Sequence, residues 1–486
     1  MISAHTVETV RAAEEVAKAA LPAGTLMQRA AAALDVVCAD LLRDTTGGVA
    51  GRTVVVLAGP GDNGGDALLA AARLARRGAA VTALLTSGRV HTEALAAARR
   101  AGARSRPWRP GDESTCAAAD LVLDGIAGIG GRGGLRPAVE GLSALDGPVV
   151  VAVDLPSGLD ADTGAVTGEV MAADVTVTFG TAKPVHLLAP AAARCGQLLV
   201  VDLGLDLPAP AVERVEPGDV AARWRRPAPT DDKYSRGVVG VVAGGPDYTG
   251  AAVLAVEAAV RAGAGMVRYV GPAHPTELVR QRRPEAVAGP GRVQAWVLGP
   301  GVSPDDPEQQ ARIRDALASG EPAVVDAGAL HDLPDGLGPH HVLTPHAGEL
   351  ARLLGVERSA VEADPLTFAR RAHAETGATV LLKGSVTTIV GDRVLTAASA
   401  TDWLSTAGAG DVLAGVLGAA LAGRPHDDPA VVAADAAVLH GRAAALASAG
   451  GPLAALDVAD AVPAALTSLP GWAERGRVPS KGAPTS

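Results

Sequence analysis

Cysteine is nearly absent. Cys38, Cys116 and Cys195 are odd in number and far apart, which excludes a disulfide framework and a paired thiolate metal site and predicts buried thiols in a reducing compartment. Aromatic residues make up only 2% of a chain that is 48% hydrophobic, so any core is built from Ala, Val and Leu. With 59 Gly and 34 Pro as punctuation, that balance suits α/β layers of Val-rich strands and Ala-rich helices. There is no excess of positive charge: the net charge is −10, which excludes a general nucleic-acid surface. The opening residues, Met1 to Thr6, show no basic segment followed by an apolar one. The longest Ala-rich stretches are interrupted by Asp435, His440 and Arg442. No signal peptide and no membrane span are therefore expected, and the expectation is a cytoplasmic protein. Its expected partners are small molecules and further copies of itself in a homo-oligomer. A length of 486 residues predicts two to four domains, each able to bury a full core.

Two scarce residues mark where chemistry is placed. Asn63 is the one asparagine, and it lies in Gly59-Pro60-Gly61-Asp62-Asn63-Gly64-Gly65-Asp66, between the apolar run Val54-Val55-Val56-Leu57 and a helix-like Ala/Leu segment. At such a strand-to-helix junction the first helical N–H groups are unpaired and glycines let a phosphate approach. An Asp-Asn-Gly-Gly turn is the plain alternative, but a turn does not need two carboxylates flanking one carboxamide. Lysine is the other: five among 43 basic residues, so each stands where arginine would otherwise be used. Lys183, Lys233 and Lys383 fall in motif-like settings, whereas Lys18 and Lys481 read as a solvated helix face and a polar tail.

Residues 6–42 predict two amphipathic helices, the first mixing Val7, Val10, Glu14 and Val16 on one face. Strands and helices then alternate: 53–57, 66–77, 80–86, 91–101, 120–123, 137–145, 149–153, 174–179 and 197–201. This pattern predicts a largely parallel, doubly wound, Rossmann-like sheet in a domain spanning residues 1–212. Pro-rich text predicts a linker over 213–229. A second αβ series fills 230–470, and 471–486 reads as a disordered tail. In the first series Asp124 ends one strand and opens Gly128-Ile129-Gly130-Gly131-Arg132-Gly133-Gly134. Asp154 ends another and opens Leu155-Pro156-Ser157-Gly158. Three strands ending in polar residues at one sheet edge form a binding crevice. There Asn63, Asp124, Asp154 and Ser157 offer hard oxygen ligands for a small cation, and the glycine loops suit phosphate.

At these residues the first half resembles the NAD(P)H-hydrate epimerase family, over roughly residues 1 to 210. The resemblance implies a potassium ion held by Asn63, Asp124 and Ser157. It places a hydrated dinucleotide, NADHX or NADPHX, over Asp62, Asn63, Gly64, Gly65, Asp66, the loop 128–134 and Asp154, with Asp124 and Asp154 as catalytic candidates. The chain departs from the family pattern at Asp62, usually Asn, and Ala67, usually Gly.

In the second half, Thr406-Ala407-Gly408-Ala409-Gly410-Asp411 puts an Asp at the start of an apolar helix after a glycine turn. Unpaired N–H groups and the helix dipole can stabilise phosphate there, beside Asp411 as a base. An N-cap would explain the Asp but not the Gly-Ala-Gly. The pattern resembles the ribokinase-like α/β/α fold. Together with Lys233-Tyr-Ser-Arg-Gly, Leu298-Gly-Pro-Gly301, Thr344-Pro-His346-Ala-Gly-Glu349 and Lys383-Gly-Ser-Val-Thr387 it resembles the ADP-dependent NAD(P)H-hydrate dehydratase. That family implies adenine nucleotide at Lys383, Gly384, Ser385, Val386, Thr387 and Gly410, with magnesium. It implies the hydrated cofactor at Ala252, Gly301, His346 and Asp411, with Asp411 deprotonating the C6 hydroxyl of the S epimer. The expectation is a bifunctional repair enzyme, isomerase and lyase. A ribokinase-type small-molecule kinase with a noncatalytic N-terminal binding domain is the alternative.

Overall fold

The computed structural model describes residues 1–131, 133–398 and 401–473. Arg132 and residues 474–486, most of the expected tail, lie outside the described residues. The chain divides into two compact units, Ser3–Val212 and Glu213 onward, the latter joined by Met1–Ile2.

The first unit opens with helices α1 (Val7–Ala20) and α2 (Thr25–Thr46). It continues through β1 (Thr53–Ala58), α3 (Asp62–Arg76), β2 (Ala80–Leu85), α4 (Thr92–Arg100) and β3 (Arg104–Pro107). Strands β4 (Leu121–Gly125), β5 (Val149–Val153), β6 (Val175–Phe179) and β7 (Gln197–Val201) complete it. All seven strands run parallel in the order β3-β2-β1-β4-β5-β6-β7. Strand order reverses between β1 and β4, so their C-terminal ends flank the crevice where such sheets bind ligands. Two expectations are corrected. Pro137–Ala144 is a 3-10 helix, as Pro at its start and a central Gly leave little helical preference. In α1, Val10 is buried but Val16 is 71% exposed, so the face turned inward carries Glu14 rather than Val16.

The second unit contains β8 (Val212–Arg214), α5 (Pro217–Arg223), β9 (Val238–Val242), α6 (Thr249–Arg261), β10 (Met266–Tyr269) and β11 (Val287–Ala288). There follow β12 (Ala295–Leu298), α7 (Pro307–Leu317), β13 (Ala323–Val325), β14 (His341–Leu343), α8 (Ala347–Leu354) and α9 (Pro365–Thr376). The hairpin strands β15 (Thr379–Leu382), β16 (Val386–Val390) and β17 (Val394–Ala398) precede the helices α10 (Ala409–Gly423), α11 (Pro429–Ser448) and α12 (Ala455–Thr467). Behind an edge strand at Ile2–Ala4, the sheet order is β8-β17-β16-β15-β14-β13-β12-β9-β10-β11, and β16 runs antiparallel to both of its neighbours. Alternate residues of β9 serve opposite faces: Val239 and Val241 join the core under α6, α10, α11 and α12, while Val238 and Val242 join that under α7, α8 and α9. Burial on both faces is what a parallel α/β/α sheet requires.

The expected linker, residues 213–229, is ordered structure. Pro217 occupies the first turn of α5, where its missing N–H costs nothing, and Val215, Val220, Ala221 and Trp224 enter the core. Helix α11 is long and apolar enough to cross a membrane, yet 78% of that window is buried inside the unit. Its Asp435 is fully buried between Arg223 and Arg424, at 2.5 and 2.8 Å, so it is a core helix.

Candidate functional sites

Helix α3 begins without any side-chain cap, leaving its first N–H groups for a ligand. Asn63 in that turn donates from Nδ2 to the Val153 carbonyl at the end of β5, 2.7 Å away. This explains the lone asparagine: a carboxylate there would face a carbonyl with no proton between them, whereas the amide ties α3 to β5 and leaves Oδ1 for another partner. Glycine is needed opposite. A Cβ at Gly128 would sit 2.2 Å from Asn63 Nδ2, and one at Gly59 would sit 1.9 Å from the Ile126 carbonyl oxygen.

Asp124 is fully buried at the end of β4. It accepts from Ser157 Oγ at 2.6 Å, from the Ser157 amide at 2.8 Å and from the Ile126 amide at 3.2 Å. Burial pushes its carboxyl up to about 6, against those hydrogen bonds. Among the described residues no cationic side chain pairs with it. A buried carboxylate with no counter-charge among the described residues, the Asn63 Oδ1 left over from its Val153 bond and the Ser157 hydroxyl are oxygen donors of the kind a small cation takes. Among the described residues no group of three or more His, Cys, Asp or Glu side chains could hold a metal.

Asp154 ends β5 in the left-handed region, φ 70°, a strained position for a residue with a Cβ. Its Oδ1 accepts from Lys183 Nζ at 2.6 Å and from Thr178 Oγ1 at 2.9 Å. Burial pushes the Asp154 carboxyl up, but the Lys183 ammonium outweighs this and holds it below the usual carboxylate range. Asp66 is buried on α3, and its Oδ1 has no hydrogen-bond partner among the described residues. Burial, then Asp62, Asp154 and Glu14, drive its carboxyl well above the usual range. Asp62 itself is exposed in the first turn of α3, where the helix dipole favours a carboxylate. In the glycine loop, Ile129 packs on the cluster containing Leu155 and Leu159, and Gly131 closes a turn onto the Gly128 carbonyl, 2.7 Å away. A Cβ at Gly133 would lie 1.9 Å from Thr167 Oγ1, and Gly134 has φ 87°. Gly64 and Gly65 are buried on the face of α3 turned to Gly59 and His91.

In the second unit Asp411 lies in the first turn of α10, after Gly408 at φ 86°. Burial, then the nearby Asp326, raise its carboxyl to about 7, with Lys383 pulling the other way. Lys383 ends β15 and bonds Asp326 Oδ1 at 2.8 Å, with Glu349 Oε2 3.8 Å away. Burial lowers the Lys383 ammonium, but Asp326 and Glu349 outweigh it and keep it charged. Thr344 also donates to Asp326, at 2.8 Å. A Cβ at Gly410 would come within 3.3 Å of Lys383 Nζ, so a side chain there would crowd the space above the ammonium. Gly384 and Ser385 are exposed at the β15–β16 turn, which Val386 and Thr387 leave.

His346 caps α8: its Nδ1 accepts from the Gly348 and Glu349 amides, at 3.0 and 3.2 Å. Burial lowers its imidazole below the ordinary value. Gly301, φ 63°, lies against the start of α6, where a Cβ would meet Ala251 Cβ at 2.6 Å. Ala252 is fully buried, its methyl turned to Gly244.

Of the expected residues, Asp124, Asp154 and Lys383 stand at or just past strand ends, Asn63 and Asp411 in the first turns of α3 and α10, His346 at the cap of α8 and Ala252 within α6. Sequence reasoning missed Asp326, although Val-Val-Asp-Ala-Gly at the end of β13 repeats the device of Asp124 and Asp154.

Residues 23–185 match a family model described as YjeF-related protein N-terminus. Residues 239–463 match one described as NAD(P)H-hydrate dehydratase. The chain is 48% identical to the bifunctional NAD(P)H-hydrate repair enzyme of Mycobacterium tuberculosis H37Rv, covering 88% of this chain and 90% of that protein. It is 46% identical to the enzyme of the same name from Mycobacterium leprae, over 92% and 94% of the two. Among solved structures, the ADP/ATP-dependent NAD(P)H-hydrate dehydratase of Bacillus subtilis, co-crystallized with ATP/Mg2+, is 27% identical; it covers 53% of this chain and 99% of that one, with a TM-score of 0.49. From its relatives over nearly its whole length, the chain belongs to the family of bifunctional NAD(P)H-hydrate repair enzymes.

Proposed function

We propose that the chain repairs hydrated nicotinamide dinucleotides. The first unit interconverts the R and S epimers of NADHX and NADPHX, and the second dehydrates the S epimer at the expense of ADP. The observation that carries the reading is Asp411 in the first turn of an apolar helix, facing the Lys383–Asp326 pair. Asp411 takes the proton of the C6 hydroxyl, and that oxygen attacks the β-phosphorus of ADP, releasing AMP. The C6–O bond then breaks with loss of phosphate, pushed by the ring nitrogen, and a proton leaves C5 to restore the nicotinamide. Hydroxide is a poor leaving group and phosphate a good one, which explains a phosphoryl-transfer site in a dehydratase. Lys383 and the α10 N–H groups hold the charge that develops on the phosphate. Magnesium, when bound with nucleotide, would be held by Asp326 and Glu349 and would offset phosphate charge.

In the first unit Asn63, Asp124 and Ser157 would hold potassium, which would supply positive charge beside the dinucleotide pyrophosphate. Asp62 to Asp66, the loop 128–134 including Arg132, and Asp154 would contact the dinucleotide. Ala252, Gly301, His346 and Asp411 would line the dehydratase pocket, and Lys383 to Thr387 with Gly410 the nucleotide site.

The test is stoichiometry. Pure S-NADHX with ADP and magnesium should yield NADH, AMP and phosphate in equal amounts. Accumulation of a stable phosphorylated product would favour a small-molecule kinase instead.

A further inference from the structure

Inverting C6 of the hydrated ring breaks one bond to that carbon and remakes it. A hydroxyl leaves as water only when an acid protonates it. The strand-end groups do not provide that acid. Lys183 has three ammonium protons, and three acceptors already take them: Asp154 Oδ1 at 2.6 Å, Thr178 Oγ1 at 2.9 Å and the Phe179 carbonyl at 3.2 Å. Asp154 is ionised by that pairing. Asp124 is enclosed by Ser157 and the Ile126 amide.

Helix α1 lies against the same site. Its start is fixed beside the site: the Val7 amide donates to Asp162 Oδ1 at 2.7 Å, and the preceding His5 amide donates to the Ala182 carbonyl at 3.0 Å, next to Lys183. One turn on, Arg11 Nη2 lies 3.5 Å from where a Cβ would stand on Gly130 in the glycine loop. Glu14 follows Arg11 by three residues and so neighbours it on the same helix face. Its side chain is 24% exposed, with Lys18 Nζ 3.7 Å away. Asp66, whose buried Oδ1 has no partner among the described residues, is raised by burial and then by Asp62, Asp154 and Glu14 together.

Resting on the epimerase reading of this unit, we propose that Glu14 is a further catalytic residue, the acid that protonates the departing C6 hydroxyl, while Asp154 receives the proton of the water that replaces it. The C6–O bond breaks with its electrons leaving on water, and the ring-nitrogen pair forms the C6–N double bond. Solvent water then bonds to the opposite face of C6 and loses its proton to Asp154. One water leaves, one enters, and solvent returns the proton from Asp154 to Glu14. Burial raises the Glu14 carboxyl against the pull of Lys18 and Lys183, and Asp154 and Asp62 add to the rise, which suits a proton donor.

The test uses the full-length protein with R-NADHX and potassium, without nucleotide, following appearance of the S epimer. Glu14→Gln should slow interconversion by roughly 10²–10⁴-fold, with the melting temperature and the ADP-dependent dehydration of S-NADHX unchanged. Glu14→Asp should retain most of the rate, and acetate should partly restore Glu14→Ala, a response that loss of a merely structural contact would not give. In H₂¹⁸O each inversion should place one labelled oxygen on C6. Near-normal interconversion by Glu14→Gln, no rescue by acetate, or unlabelled product would each overturn the proposal. A wild-type protein that interconverts nothing would instead overturn the epimerase reading beneath it.

Discussion

At the scale of single residues, the second site turns on a carboxylate tuned to neutrality. A general base works ionised, and Asp411 is raised to about 7 by burial and Asp326. The rate of dehydration should therefore fall about tenfold per pH unit below 7 and level off above it, while Lys383 stays charged throughout. Asp411→Asn should remove that dependence along with roughly 10²–10⁴-fold of the rate. A variant that keeps near-normal turnover would take Asp411 out of the mechanism. In the first unit, Asp124 is a buried carboxyl that, among the described residues, no cationic side chain pairs with. Potassium should raise the melting temperature of this unit relative to a large organic cation at equal ionic strength, since binding to the native state alone stabilises it. Asp124→Asn should abolish the difference; an equal response in that variant would place the cation elsewhere.

At the scale of elements, the strand ends were legible because parallel strands are continuous apolar runs and the polar residue that stops each one is conspicuous. Asp124 and Asp154 were singled out this way, Asn63 was singled out as the one asparagine, in a glycine-rich turn, and Asp326 was open to the same rule. Glu14 was not, because helical periodicity cannot say which way a mixed face turns until Val16 is seen in solvent. Edge strand β3 was hidden by its sequence Arg-Ser-Arg-Pro, polar and closed by proline, as sheet edges tend to be. The stretch 213–229 misled through proline, which here starts a helix rather than spacing two domains. That helix matters to folding: Arg223 and Arg424 share the fully buried Asp435. Asp435→Ala would strand Arg424, whose side chain is 5% exposed, and should cost about 3–5 kcal/mol. Denaturant unfolding checks this, and a loss under 1 kcal/mol would mean that the pair is not holding α5 and α11 together.

At the scale of the molecule, two α/β units carry complementary chemistry. A dehydratase that accepts one epimer leaves the other untouched, and an epimerase alone repairs nothing. The most direct measurement gives the full-length protein an R/S mixture of NADHX with ADP, potassium and magnesium, and follows reduced nicotinamide to completion. The wild-type protein should convert both epimers, Asp411→Asn neither, and Asp124→Ala only the S epimer before slowing to the spontaneous rate of interconversion. A wild-type reaction that stops when the S epimer is exhausted, or an Asp124→Ala reaction that runs to completion at the wild-type rate, would contradict the account.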